Sequence, residues 1–298
     1  MRTDQGRVRD HNEDFIIFNE PTNSDEESRD GWLFILADGV GGTEAGEVAS
    51  KYASERTLYH YIRNLDETDL GHRLIDAINS ANEDLQQLII ERATGKRMAT
   101  TMVATVIHEG ASTIANVGDS RGYLWRSGVL QQVTKDQSLV AKLVEEGVIT
   151  EEEAKNHPRR NVILHSLGSE NAPQIDLFHL EADTYELLVL CSDGLTRHVS
   201  DQEIETIIGQ EEPDEATAQM ITLANDRGGE DNISVAVMRI ADWRSPEGVR
   251  ISHGTGAGSD AMTDSDGLSD RGEFWFQTAT FMMIYVTLVL LIWIITSR

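Results

Sequence analysis

The amino-acid sequence predicts an α+β domain whose sheets are covered by helices, followed by a membrane-spanning helix. Three observations carry this reading. Short apolar, β-branched runs recur before and after a pair of long helical patterns, without the regular alternation that builds parallel sheets. A polar stretch with no apolar period then interrupts the folded pattern. The chain ends in an uncharged apolar run.

Residues 32–38, 101–108, 112–117, 186–193 and 232–240 read as strands, each a short run rich in Val, Ile and Leu. Between the first two lie the helical patterns. One places Ala45, Val48, Ala49, Tyr52 and Ala53 on one face, and the other places Leu70, Leu74, Ile78, Ala81, Leu85 and Leu88 near the 3.6-residue period. Residues 136–170 break the strand pattern with short helical pieces and are expected to form an insertion over one edge. No repeat of fixed period is present.

Residues 242–273 are rich in Gly, Ser, Thr and Asp and read as a flexible linker, about 30 Å in r.m.s. span if coil-like. Residues 274–295 (FWFQTATFMMIYVTLVLLIWII) carry no charge. As a helix this segment is about 33 Å long, enough to cross a bilayer core. Trp275, Phe276 and Trp293 lie near its ends, where amphipathic aromatics favour the headgroup region. Only residues 296–298 follow, so the segment reads as a tail anchor at the cytoplasmic membrane. The N-terminus shows no apolar signal segment, which puts the folded domain on the cytoplasmic side.

Of the 298 residues, 51 are Asp or Glu and 25 are Lys or Arg, a net charge of -26. That balance excludes nucleic acid as a partner, since phosphate backbones are held by clustered cations and no basic stripe is present. Hydrophobic content of 40% is ordinary for a globular protein, so the acidity is not a mark of disorder throughout. The lone cysteine, Cys191, allows no internal disulfide and fits a reducing compartment.

The chemistry is carried by how the strands end. WLFILAD-GVGG, STIANVGD-SRG, ELLVLCSD-GLT and GGED-NISVAV place Asp38, Asp119, Asp193 and Asp231 at strand boundaries beside or near glycine. An Asp-Gly pair taken alone is a common turn. Four such junctions in one domain point further, because gathered carboxylates repel unless a cation neutralises them. Oxygen-only ligation favours Mg²⁺ or Mn²⁺ over zinc. The N-terminal RVRDHNEDF adds Arg9, Glu13 and Asp14. Arginine presents a planar fork of donors suited to phosphate oxygens, and a metal cluster beside it suits phosphoester chemistry.

The motifs RVRDHNED, ADGVGG with the following AGEVAS, ATTMVAT, NVGDSRGYL, TKDQS, CSDGLT and GGEDNISV stand in order over residues 1–241. In this the chain resembles the metal-dependent Ser/Thr protein phosphatases (the protein phosphatase 2C-like, or PPM, family), and most closely its bacterial members. The resemblance implies a four-layer α/β/β/α sandwich with two central antiparallel sheets and a metal centre at one end. It implies Asp38 as the carboxylate bridging two metals (Mn²⁺ or Mg²⁺), Gly39 as a backbone carbonyl ligand, and Asp193 and Asp231 as further direct ligands. Asp119 with Asp193 matches the pair that holds a third, weaker metal in many bacterial members. Arg9 matches the phosphate-binding arginine, and Glu13 and Asp14 match carboxylates acting through metal-bound water. The implied reaction is hydrolysis of phosphoserine and phosphothreonine in proteins by in-line attack of a metal-bridging hydroxide, opposing a Ser/Thr protein kinase. Residues 136–170 match the flap subdomain.

The chain departs from the family pattern in three places. Val40 stands where many eukaryotic members have histidine, which leaves the leaving-group proton donor open, with metal-bound water the candidate. The family normally has an additional strand before the arginine, and here eight residues precede it, so a shortened edge or a start further upstream is expected. The tail anchor is shared by only some members. His11, His157, His165 and His198 are scattered and read as surface or local hydrogen-bonding groups. Cys191, in an apolar strand, reads as buried rather than as a thiol nucleophile. A phosphoprotein-binding module without turnover is the rival reading; such relatives usually lose a ligand carboxylate, and none is missing here.

Overall fold

The computed structural model describes residues 1–40, 44–92, 98–169, 173–181 and 186–240. The expected linker (242–273), membrane helix (274–295) and tail lie outside them. Among the described residues no helix is long and apolar enough to cross a membrane.

In chain order the elements are β1 (Arg2–Asp4), β2 (Asp14–Asn19), α1 (Ser24–Asp30), β3 (Trp32–Val40), α2 (Glu44–Arg63), α3 (Leu70–Arg92), β4 (Ala99–Thr100), β5 (Met102–His108), β6 (Ala111–Val117), β7 (Arg121–Arg126) and β8 (Val129–Gln132). They continue with α4 (Leu139–Glu145), α5 (Glu151–Lys155), β9 (Asp176–Glu181), β10 (Leu187–Cys191), α6 (Asp193–Thr196), α7 (Asp201–Gln210), α8 (Pro213–Asp226) and β11 (Ile233–Arg239). Two sheets result. One runs β1-β11-β10-β7-β8 and the other β2-β3-β5-β6-β9, with β4 paired to β3. Every strand pair in both is antiparallel.

Alternation along the central strands builds the layers. On β3, Leu33 and Ile35 enter a core with Ala49 and Ala53 of α2 and Leu74, Ile78 and Leu85 of α3. The intervening Phe34 and Leu36 face the other way and meet Leu188, Leu190 and Ala236 of the opposite sheet. On β10 and β11, Val189, Ile233 and Val235 turn outward onto Ile204 of α7 and Met220 of α8. Helix, sheet, sheet and helix therefore stack around three apolar seams. Strands covered on both faces must be apolar at nearly every position, and this is why they read as continuous runs rather than alternating ones.

The predicted 186–193 strand ends early. Cys191 closes β10 and Asp193 opens the short helix α6. Cys191 is fully buried, and burial pushes its thiol up to about 12, so it supplies no thiolate nucleophile. Within 136–170 lie the short helices α4 and α5, the second closed by a capping box from Thr150 and Glu153.

A buried ion pair fastens the helical layer to the start of β3. The Arg73 guanidinium donates to Asp30 Oδ1 at 2.9 Å and to the Glu67 carbonyl at 2.9 Å, while Tyr61 donates to the Asp30 carbonyl at 2.7 Å. Removing one partner strands the other charge in the interior. Asp30→Ala is expected to cost about 3–5 kcal/mol in urea unfolding, whereas Asp30→Leu combined with Arg73→Met is expected to cost far less.

Candidate metal centre

The strand register decides which carboxylates meet. Asp14 and Asp38 are direct partners across the β2–β3 pair. Neighbouring backbone is pinned there too: the Gly39 N–H donates to the Glu13 carbonyl at 3.0 Å, and the Thr101 N–H donates to the Asp38 carbonyl at 2.9 Å. A side chain at Gly39 would collide with the Gly46 and Glu13 carbonyls, so only glycine lets α2 approach this corner. In the other sheet, β10 and β11 are adjacent antiparallel strands, and α6 leaves the end of β10 against the Asn232 carbonyl. Gly194 has no Cβ to obstruct that approach. Asp193 and Asp231 are brought side by side as a result. Asp119 arrives from the turn after β6, where Gly118 has φ of 105° and packs on Thr101.

Because the two sheets share an apolar seam, both strand ends open onto one acidic floor. Asp38 shows the gathering most directly. Burial raises its pKa well above the usual carboxylate range, and Asp14, Asp193, Asp119 and Asp231 each raise it further. Burial pushes Asp14 up to about 7 against the hydrogen bonds from Ser234 and Ser192, with Asp193 and Asp231 adding to the rise, and it pushes Asp119 up to about 8, helped by Asp193 and Asp136 and opposed by Arg197. Asp193 is raised for the same first reason, opposed by Arg197. Glu13 also shifts upward through burial, offset in part by Arg9. The predicted residues Arg9, Glu13, Asp14, Asp38, Asp119, Asp193 and Asp231 thus occupy one place, with Gly39 beside Asp38.

The donor set fits a hard divalent cation. Glu13 Oε1, Asp14 Oδ1 and Asp119 Oδ1 are buried oxygens without a hydrogen-bond partner, an arrangement that costs free energy unless a cation uses the lone pairs. No group of three or more such side chains among the described residues is already drawn in around a metal-sized position. Arginines hold two of them instead. Arg9 Nη2 donates to Asp231 Oδ2 at 2.8 Å, Arg197 Nη1 donates to the same oxygen at 2.9 Å, and Arg197 Nη2 donates to Asp193 Oδ2.

Sequence reasoning missed Arg197, Asn232 and Ser192 as members of this site. Arg197 lies four residues after Asp193, the spacing that pairs charges on a helix, but α6 is too short to show a helical period. Asn232 is buried and works through its side chain. Its Oδ1 accepts from the Glu13 N–H at 2.8 Å, and its Nδ2 donates to the Gln5 and His11 carbonyls, each at 2.8 Å. Ser192 Oγ donates to Asp14 Oδ2 at 2.9 Å. Arg121 shares a motif with Asp119 but turns to Asp136, which it meets through two nitrogens.

The family described as Protein phosphatase 2C matches residues 22–234. The chain is 38% identical over 243 residues to the Serine/threonine phosphatase stp of Listeria monocytogenes, across 80% of this chain and 94% of that protein. The crystal structure of the Mycobacterium tuberculosis serine/threonine phosphatase PstP/Ppp superposes with a TM-score of 0.71 at 36% identity, covering 80% of this chain and 97% of that one. The catalytic domain of the phosphatase PstP in complex with two manganese ions superposes with a TM-score of 0.68 at 36% identity, covering 81% and 96%.

Asn232 is the clasp between the N-terminal segment and the Asp231 junction. Asn232→Ala leaves a buried N–H and two carbonyls without their partner and is expected to lower the unfolding free energy by about 3 kcal/mol in urea titration. An unchanged midpoint would show that the clasp carries no stability.

Proposed function

The chain belongs to the protein phosphatase 2C family, and from that premise we propose that it hydrolyses phosphoserine and phosphothreonine in proteins, opposing a Ser/Thr protein kinase. The observation that carries this reading is the gathering of Asp38, Asp119, Asp193 and Asp231 on one floor with Arg9 at its rim. Two Mn²⁺ or Mg²⁺ ions are the cofactor. When bound, they supply an activated water and neutralise charge on the phosphoryl group.

The residues divide the work. Asp38, Asp193 and Asp231 hold the metals, with the Gly39 carbonyl as a further ligand. Asp119 with Asp193 offers a position for a third cation. Glu13 and Asp14 act through ordered water, which suits their buried, unpartnered oxygens. Arg9 binds the substrate phosphate. Its side chain is 42% exposed and tied only to Asp231 among these acids, so it can turn its fork toward an incoming phosphoryl oxygen. Val40 offers no proton at the rim, and the leaving alkoxide takes its proton from water.

Residues 1–241 make up the phosphatase domain, with 136–170 as a flap beside the floor. Residues 274–295 span the cytoplasmic membrane as a tail anchor, and 242–273 tether the domain on the cytoplasmic side. The support is the uncharged twenty-two-residue run and the polar stretch before it. Substrates are then phosphoproteins at or near that membrane.

Full-length protein is expected to release phosphate from a phosphothreonine peptide with Mn²⁺. Chelator, or Asp193→Asn, is expected to lower kcat/KM by about 100-fold or more. Robust hydrolysis in chelator would overturn the metal mechanism. Deleting 274–298 is expected to move the protein from the membrane pellet to the supernatant without loss of peptide hydrolysis; retention in the pellet would refute the anchor.

A further inference from the structure

The phosphatase reading gives no task to Arg197, yet it is the cation most deeply set in the acidic floor. Its side chain is 23% exposed, against 42% for Arg9. Its backbone N–H donates to the Asp193 carbonyl at 2.9 Å, and the short helix α6, whose C-terminus it caps, is wedged against Asn232 through Gly194. The guanidinium is therefore held on the floor rather than swung in from solvent. It reaches across two elements, one nitrogen on Asp193 Oδ2 and the other on Asp231 Oδ2 at 2.9 Å. A guanidinium stays protonated throughout the working pH range, so the charge it brings to Asp193 and Asp231 is permanent.

We propose that Arg197 is a built-in counter-cation that competes with the incoming metal for Asp193 and Asp231 and so sets how tightly the centre loads. The inference rests on the metal-centre reading above. A guanidinium N–H on a carboxylate oxygen occupies one of that group's lone-pair sites and offsets part of its charge, so it competes with a metal for the same carboxylate. Loading must therefore displace or weaken the Arg197 contacts to Asp193 and Asp231, and the positive charge left nearby continues to oppose a divalent ion. The same contacts relieve repulsion between Asp193 and Asp231 when no metal is bound. Arg197 thus stabilises the metal-free protein and weakens the loaded one. Arg9 touches only Asp231 and sits further toward solvent, so it competes less.

Titration calorimetry with MnCl₂ on the full-length chain in detergent tests this, comparing wild type, Arg197→Ala, Arg197→Lys and Arg9→Ala. Arg197→Ala is expected to bind Mn²⁺ at least tenfold more tightly than wild type, with Arg197→Lys between them and Arg9→Ala shifted less. Metal-free Arg197→Ala is expected to melt below metal-free wild type. Arg197→Gln keeps donors and bulk without the charge, and it is expected to follow the alanine variant, which covers the case in which alanine does not fold. Equal or weaker Mn²⁺ binding by the neutral variants overturns the role of Arg197 while leaving the metal centre standing. Failure of wild type to bind Mn²⁺ overturns both.

Discussion

Mutual repulsion among carboxylates that the fold forces together is the constraint on which the rest of this structure depends. Asp14, Asp38, Asp119, Asp193 and Asp231 come from two sheets and end at one floor. At an effective dielectric of about 20, two unit charges 4 Å apart repel by about 4 kcal/mol. Such a floor does not assemble by attraction among its own members. It is held by the apolar seams behind it and by backbone contacts at glycine, and it is relieved by cations. Arg9 and Arg197 provide two of these, and the divalent ions of the phosphatase reaction provide the rest.

The division of labour follows from that constraint. The seam between the sheets, lined by Leu36, Ile114, Leu188, Leu190 and Ala236, fixes the strand ends in space. The outer seams clamp each sheet under its helices, so the strands cannot splay to separate the charges. Catalytic power in such a centre comes from charges fixed in advance of the reaction. The free energy that the apolar seams contribute is in part used to hold an arrangement that is unfavourable by itself.

Much of this was legible in the residues. The central strands and the two long helices announced themselves through apolar runs and a clear period, because burial on both faces or along one stripe dictates residue type. The aspartates stood out because each closes such a run. What escaped has physical reasons. The edge strands β1, β8 and β9 are half-exposed or exposed and carry polar residues such as Gln131, Gln132 and His179, so their pattern does not rise above a loop. The end of the 186–193 run was misplaced because Asp193 fits the end of a strand and the start of a helix equally well. Arg197 and Asn232 act through contacts across 34 and 219 residues of chain, and no local pattern encodes a partner that distant.

The floor is built for a cation, and its carboxylates serve loading and not folding. Thermal unfolding of wild type and Asp38→Asn, each with and without saturating Mn²⁺, separates the two. Mn²⁺ is expected to raise the wild-type midpoint by about 5–10 °C. Asp38→Asn is expected to lose this response while its metal-free form is at least as stable as metal-free wild type. A metal-free variant that melts well below wild type, or one that responds to Mn²⁺ as wild type does, would contradict it.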